Sequence, residues 1–272
     1  VTGSNAVRLS LRRMGAMMRR HLYLLLGSWP RLLDLIYWPT VQMILWGFIT
    51  KFMAGQSTLV AQAAGIFLTA VLLWDALFRG QLGFSLCFLE EMYSRHLGHL
   101  FVSPLRPWEH VLAVYAISAV RVLIGVGGAA LLAVPIHHFS LVGTLGWTII
   151  PLFGLLMVFG WAIGMIISAL VLRLGMGAES LAWAAIFFIQ PISGVYYPIA
   201  TLPGAVQPVA WLLPSAPVFE NMRSVLIDGR FDWGLFGYAL VLLAAWLVLA
   251  GAVFVLLFRS ARNRGQLLQV GE

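Results

Sequence analysis

The chain has 272 residues, 61% of them hydrophobic and only 10% charged, with a formal net charge of +7. An ordinary soluble domain carries about 25% charged residues, so this composition excludes one and fits a single membrane-embedded bundle. The one cysteine, Cys87, excludes a disulfide framework within the chain, and the one lysine, Lys51, lies in no Gly-x-x-x-x-Gly-Lys-Ser/Thr run, so there is no P-loop.

Residues 1–30 predict an interfacial amphipathic helix over 6–26. Val7, Leu11, Met14, Met18, Leu22 and Leu25 recur at helical spacing on one face, with Arg8, Arg12, Arg13, Arg19 and Arg20 away from it. A basic helix of this kind lies in the headgroup region. A secretory signal does not fit, because the apolar part is short, is broken by Gly27-Ser28-Trp29-Pro30 and has no small-residue cleavage site.

Residues 31–258 predict an all-α membrane domain of six transmembrane helices. The first span, about 32–53, contains Pro39, which removes a backbone hydrogen bond and kinks it. The second, about 60–86, holds Asp75 and Arg79, four apart and so on one helix face. A polar interval from Glu90 to Pro107 follows and projects into water, since it cannot sit in lipid. The third span, about 109–134, has Arg121 near its middle and a small-residue patch at Gly125, Gly127, Gly128 and Ala129. The loop 135–140 holds His137 and His138. The fourth span, about 145–171, carries Gly160-x-x-x-Gly164, a close-packing face. The fifth, about 180–200, runs into a proline-dense stretch. Pro191, Pro198, Pro203, Pro208, Pro214 and Pro217 cannot share one straight helix, so about 191–225 reads as a broken, re-entrant external region. Phe219–Ile227 fits a short helix ended by Asp228-Gly229. The last span is about 234–258, and 259–272 form a polar tail.

The basic residues orient the bundle. Arg8, Arg12, Arg13, Arg19, Arg20, Arg31, Arg79, Arg95, Arg106, Arg173, Arg259, Arg262 and Arg264 fall on one side, and Lys51, Arg223 and Arg230 on the other. Thirteen against three places both termini in the cytoplasm. Topology and anionic membrane lipid therefore account for the net charge, and no nucleic-acid partner is needed.

Asp75, Arg79 and Arg121 are costly at membrane depth unless paired or hydrated, by about 2.5–3.5 kcal/mol each. They read either as the polar lining of a transport path or as a structural Asp75–Arg79 pair with Arg121 snorkelling or bonded to carbonyls. Asp34, near the end of the first span, reads as interfacial. His96 with His99, and His137 with His138, have no converging third ligand, so no metal site is expected. No His-Glu-x-x-His or Gly-x-Ser-x-Gly occurs, which argues against a membrane hydrolase. Tyr196 and Tyr197 fit an interfacial aromatic belt or a contact to sugar or lipid.

Two stretches carry a family resemblance. The Glu90-Glu91 pair, a short helix ending near Gly98, then Ser103-Pro104-Leu105-Arg106-Pro107, resembles the cytoplasmic coupling helix of ABC-2 type transporter permeases. Ser193-Gly194-Val195-Tyr196-Tyr197-Pro198, then Leu202-Pro203, Trp211-Leu212-Leu213-Pro214 and Arg223, resembles the broken segment before that family's last span. The resemblance implies a coupling helix at about 89–103, with Glu90, Glu91, Arg95, His96 and Gly98 facing a separate ATPase chain that binds ATP and Mg. This chain would hold no cofactor. It further implies a second permease chain, identical or related, and alternating-access export of an amphiphile (a drug, lipid-linked saccharide or polysaccharide) across the bacterial cytoplasmic membrane. Asp75, Arg79, Arg121, Tyr196 and Tyr197 are the expected path residues. The alternative is a gradient-driven secondary transporter or channel using Asp75, Arg79 and Arg121. An inverted repeat would favour it, and none is visible.

Overall fold

The computed structural model describes residues 3–54, 58–93, 104–175 and 180–263, and every regular element among them is helical. In chain order these are α1 (Gly3–Leu26), α2 (Trp29–Ala54), α3 (Thr58–Tyr93), α4 (Pro107–His137), α5 (Leu141–Leu145), α6 (Ile149–Leu174), α7 (Ser180–Ile189), α8 (Gln207–Trp211), α9 (Ser215–Asp228) and α10 (Trp233–Asn263). Short 3₁₀ turns at Gly146–Thr148, Gln190–Ile192 and Ile199–Thr201 join or extend them.

Five stretches of the described residues are long and apolar enough to cross a membrane: Trp29–Phe52, Ile66–Glu91, Trp108–His137, Leu141–Leu174 and Trp233–Ala261. Crossing a hydrocarbon core of about 30 Å takes roughly 20 apolar residues. The expected fifth span departs from this. Its apolar stretch, Trp183–Ile192, is only 10 residues long. α7 itself has 10 residues, and the chain then tightens into a 3₁₀ turn at Pro191 and reverses at Gly194. Proline lacks the N–H that the next helical turn needs. Gly194 has φ +74°, and a Cβ there would meet Ile199 Cδ1 at 2.7 Å.

Several boundaries also move. α4 runs through Pro135 to His137, so the expected loop 135–140 shrinks to a turn at His138, whose φ is 53°. The short external helix begins at Ser215 and is closed by Gly229 at φ 65°. The last helix extends to Asn263, into the expected tail.

α3 is the central element and packs on α2, α4, α6, α7 and α9. Its tightest neighbour is α6, and glycines on both helices bring the backbones together. A Cβ on Gly160 would lie 2.3 Å from the Leu77 carbonyl oxygen, one on Gly164 2.8 Å from that of Gln81, and one on Gly80 2.7 Å from that of Met157. Hydroxyls reinforce the seam: Ser118 Oγ donates to the Gly80 carbonyl at 3.4 Å and accepts from Trp161 Nε1 at 3.1 Å. Such contacts replace the hydrophobic drive that is absent between helices in lipid. The expected small-residue patch on α4 splits. Gly125 packs against the Leu35 carbonyl, whereas a Cβ on Gly127 or Gly128 would meet nothing within 4 Å.

α1 also differs from a simple two-faced helix. Val7 and Leu11 are exposed, whereas the flank carrying Met17 and His21, with Leu25, is buried in the bundle. Arg13 and Arg20 leave the solvated face and turn inward to Glu109 and Glu91.

The seam predicts an asymmetric glycine response. Gly160→Ala forces α3 and α6 apart at a backbone contact and costs about 1–3 kcal/mol, read as a lower unfolding temperature in detergent. Gly127→Ala, facing open space, leaves that temperature unchanged or slightly raised.

Candidate functional site

α2, α3, α4 and α7 line a cavity of about 370 Å³. Along its α3 wall the lining residues run Val71, Leu72, Trp74, Asp75, Phe78, Arg79, Leu82, Gly83, Leu86 and Glu90. From Val71 to Glu90 a helix rises roughly 28 Å, so this wall follows most of the depth of a bilayer. Trp38, Pro39 and Trp46 of α2 and Trp183, Ile186 and Phe187 of α7 form the facing walls. Pro39 is buried within α2 and belongs to this lining.

The cavity brings together four of the five expected path residues: Asp75, Arg79, Arg121 and Tyr196. Asp75 and Arg79 form an ion pair one helical turn apart, with Arg79 Nε donating to Asp75 Oδ2 at 2.7 Å. Tyr196 closes the far end. Its ring stacks on Phe67 at 5.3 Å and packs on Trp46 at 5.6 Å, and its hydroxyl accepts from Gln190 Nε2 at 2.5 Å. Tyr197 is not among the lining residues and donates to the Pro191 carbonyl.

The opposite end is charged. Glu90 lies between two guanidinium groups, 3.6 Å from Arg31 Nη1 and 3.8 Å from Arg121 Nη2. Asp34 lines the same end and is exposed. Among the described residues no carbonyl bonds Arg121. It is 9% exposed, and its Nε and Nη2 make no hydrogen bond.

Glu91, one residue on, points elsewhere. Its side chain is 1% exposed, ion-paired with Arg20 and 3.6 Å from His21 Nε2. A carboxylate so enclosed by its own chain has no surface to offer another subunit, so the direct outward contact expected of Glu91 does not match its position. Arg95, His96 and Gly98 lie outside the described residues. Beyond them, Arg13 Nη1 bonds the Pro104 carbonyl at 2.9 Å and approaches Glu109 at 3.3 Å, while Glu109 Oε2 accepts the Arg106 N–H at 2.9 Å. α1 therefore grips both flanks of the polar interval.

His21, Cys87 and Glu90 each place one ligand atom within 4.8 Å of the others. This grouping was not visible from sequence spacing. A dication there would sit among the guanidinium groups of Arg20, Arg31 and Arg121, whose fields already reach His21 and Cys87. The carboxylates are engaged with those arginines, and the grouping reads as packing. The expected histidine pair at His137 is likewise structural, with the His137 ring edge-on to Phe48 at 5.2 Å.

Sequence reasoning named Arg223 as part of a motif and in the charge count, and missed its partners. Arg223 Nη2 donates to the Gly194 carbonyl and, at 3.3 Å, to that of Val195. Glu220 accepts the Ile199 N–H at 2.7 Å and pairs with Arg223 at 3.4 Å. Asn221 exchanges bonds of 2.8 and 3.0 Å with the Asp232 backbone, and Asp232 caps α10. The i, i+3 spacing of Glu220 and Arg223 on a helix was the available signal.

The family model for ABC-2 type transporters matches residues 14–227. The chain belongs to the ABC-2 type transporter family. It is a multi-pass membrane protein and an ABC transporter permease, a class of transport component that is generally non-catalytic and works with an ABC ATPase. No curated protein matches the chain.

Two predictions concern the charged end of the permease. Glu91→Gln leaves Arg20 without its buried partner and costs about 3 kcal/mol. A double-mutant cycle with Arg20→Gln returns most of that loss as coupling energy. Burial, then the fields of Arg121 and Arg20, lowers the His21 pKa from 6.5 to about 4. The unfolded chain thus takes up the proton first as pH falls. Stability is complete above about 6.5 and drops by about 3 kcal/mol towards pH 4. His21→Leu flattens that part of the stability–pH curve.

Proposed function

We propose that the chain is the permease subunit of an ATP-driven exporter that moves an amphiphile outward through the α2–α3–α4–α7 cavity. The observation that carries this reading is Glu90. It forms part of the cavity wall and stands four residues before the polar segment 94–103. A push on that segment reaches the cavity through one helix end, with no intervening loop.

In this mechanism Arg95, His96 and Gly98 contact a separate ATPase that binds ATP and Mg. Glu91 and Glu90 act behind them, holding the end of α3 to α1, α2 and α4. Closure of the ATPase displaces segment 94–103, tilts α3 and redistributes Glu90 between Arg31 and Arg121, which reshapes the charged end of the cavity. α2 is largely exposed and lines an open cavity, which supports a second permease chain, identical or related, completing the path. We place both termini in the cytoplasm, with α7 and the broken stretch after it together making the fifth crossing, in a bacterial cytoplasmic membrane. The arginine distribution supports this orientation.

A tagged chain gently extracted from its native membrane copurifies with a stoichiometric ATPase chain, and Arg95→Glu with His96→Glu removes that chain while the permease stays folded. Leu86→Trp fills the cavity, so transport falls at least tenfold with ATPase binding retained. A permease free of any ATPase across several detergents, with transport following a proton gradient, overturns the reading in favour of a gradient-driven transporter built on Asp75.

A further inference from the structure

The cavity is lined by three acidic and three basic side chains, Asp34, Asp75 and Glu90 against Arg31, Arg79 and Arg121, yet their states differ. Asp75 and Arg79 are closed on each other at 2.7 Å and leave little for a ligand. Arg121 is nine-tenths buried, its Nε and Nη2 make no hydrogen bond, and its contact with Glu90 at 3.8 Å is too long for one. Arg31 meets the same carboxylate at 3.6 Å. One carboxylate is thus stretched between two guanidinium forks, each built to take an anion bidentately. A buried guanidinium with donors unmet is an expensive arrangement, and something must compensate it.

At this end Arg20, Arg31 and Arg121 face Asp34, Glu90 and Glu91, so the formal charges are matched in number, and it is the unmet donors of Arg121 that call for an anionic acceptor. Beyond the charged end, the wall turns aromatic, with Trp38, Trp74, Phe78, Trp183 and Phe187.

We propose that Arg121, with Arg31, forms a subsite for the anionic head of an amphiphile, a phosphate or carboxylate, whose apolar body lies along the aromatic wall. This deepens the exporter reading, on which it rests, by naming the charge of the substrate. Glu90 is the internal competitor. It occupies the two arginines when the subsite is empty and yields them when an anionic head arrives. The same displacement loosens the end of α3, next to the segment proposed to contact the ATPase.

The test uses the full chain alone in neutral maltoside detergent, titrated with dodecyl phosphate and read by tryptophan fluorescence, since Trp38, Trp74 and Trp183 line the wall. Saturable binding is expected, weakened at least tenfold in Arg121→Gln. Glu90→Gln removes the competitor and tightens binding several-fold. That opposite sign separates a binding role from a structural one and stands even where Arg121→Gln does not fold. Inorganic phosphate binds at least a hundredfold more weakly than dodecyl phosphate; equal affinity overturns the amphiphile and leaves a site for a free anion. Dodecyltrimethylammonium binding as tightly as dodecyl phosphate, or a Glu90→Gln variant that binds no better, overturns the proposal. No ATPase takes part, so a failed copurification and a failed titration are independent results.

Discussion

Two adjacent carboxylates at the end of α3 share the work of holding the charged end together, and they do so by facing different ways. Successive helical residues are about 100° apart. Glu91 therefore enters the buried contact with Arg20 and His21 on α1, while Glu90 reaches Arg31 on α2 and Arg121 on α4. Four helices meet at one helix end. Buried ion pairs add little net stability over apolar packing, because desolvation offsets attraction, but they penalise every arrangement that separates them. Here they fix the register of α1 on the bundle and tie the end of α3 to α1, α2 and α4.

The other end solves a different problem. The chain between Pro191 and Pro214 has irregular backbone close to membrane depth, where unmet N–H and C=O groups are costly. Two side chains on one turn of α9 meet that need. Arg223 takes the carbonyls of Gly194 and Val195, and Glu220 takes the N–H of Ile199. Burial lowers the Arg223 pKa, and the Glu220 carboxylate opposes this. The glycine-aromatic-proline break is thereby a defined loop, and its Tyr196 becomes the aromatic lid of the cavity.

Much of this was legible in the sequence because it follows from periodicity and composition. The helical class, the long apolar spans, the close-packing glycines at Gly160 and Gly164, the Asp75–Arg79 spacing and the break after α7 are all local patterns. What was not legible depends on which helices become neighbours. Arg20 and Glu91 are seventy-one residues apart, and no spacing rule pairs them. A polar run reads as solvated by default, yet Glu91 is buried because an inward-turned arginine of α1 compensates it. The stripe on α1 separates apolar from basic residues, but a two-class pattern cannot tell side chains buried against the bundle, such as Leu25, from exposed ones such as Val7 and Leu11. The fifth span looked full length because its apolar composition continues past Pro191, whereas the backbone does not.

The placement of charge in the cavity connects these features. A membrane path with several ionisable groups is tolerable only if each is compensated. Complete pairing would make a stable wall with no affinity for anything polar, and that is the state of Asp75 and Arg79 midway along α3. The end of α3 differs, because Arg121 Nε and Nη2 make no hydrogen bond there, and the helix is also tied to α1 and α2. If the contacts of Glu90 with Arg31 and Arg121 lay near Tyr196 instead, the proposed subsite would be remote from the segment proposed to face the motor. Because it lies next to Glu91 and the polar interval, the proposed subsite and the ties that hold the end of α3 use the same few side chains.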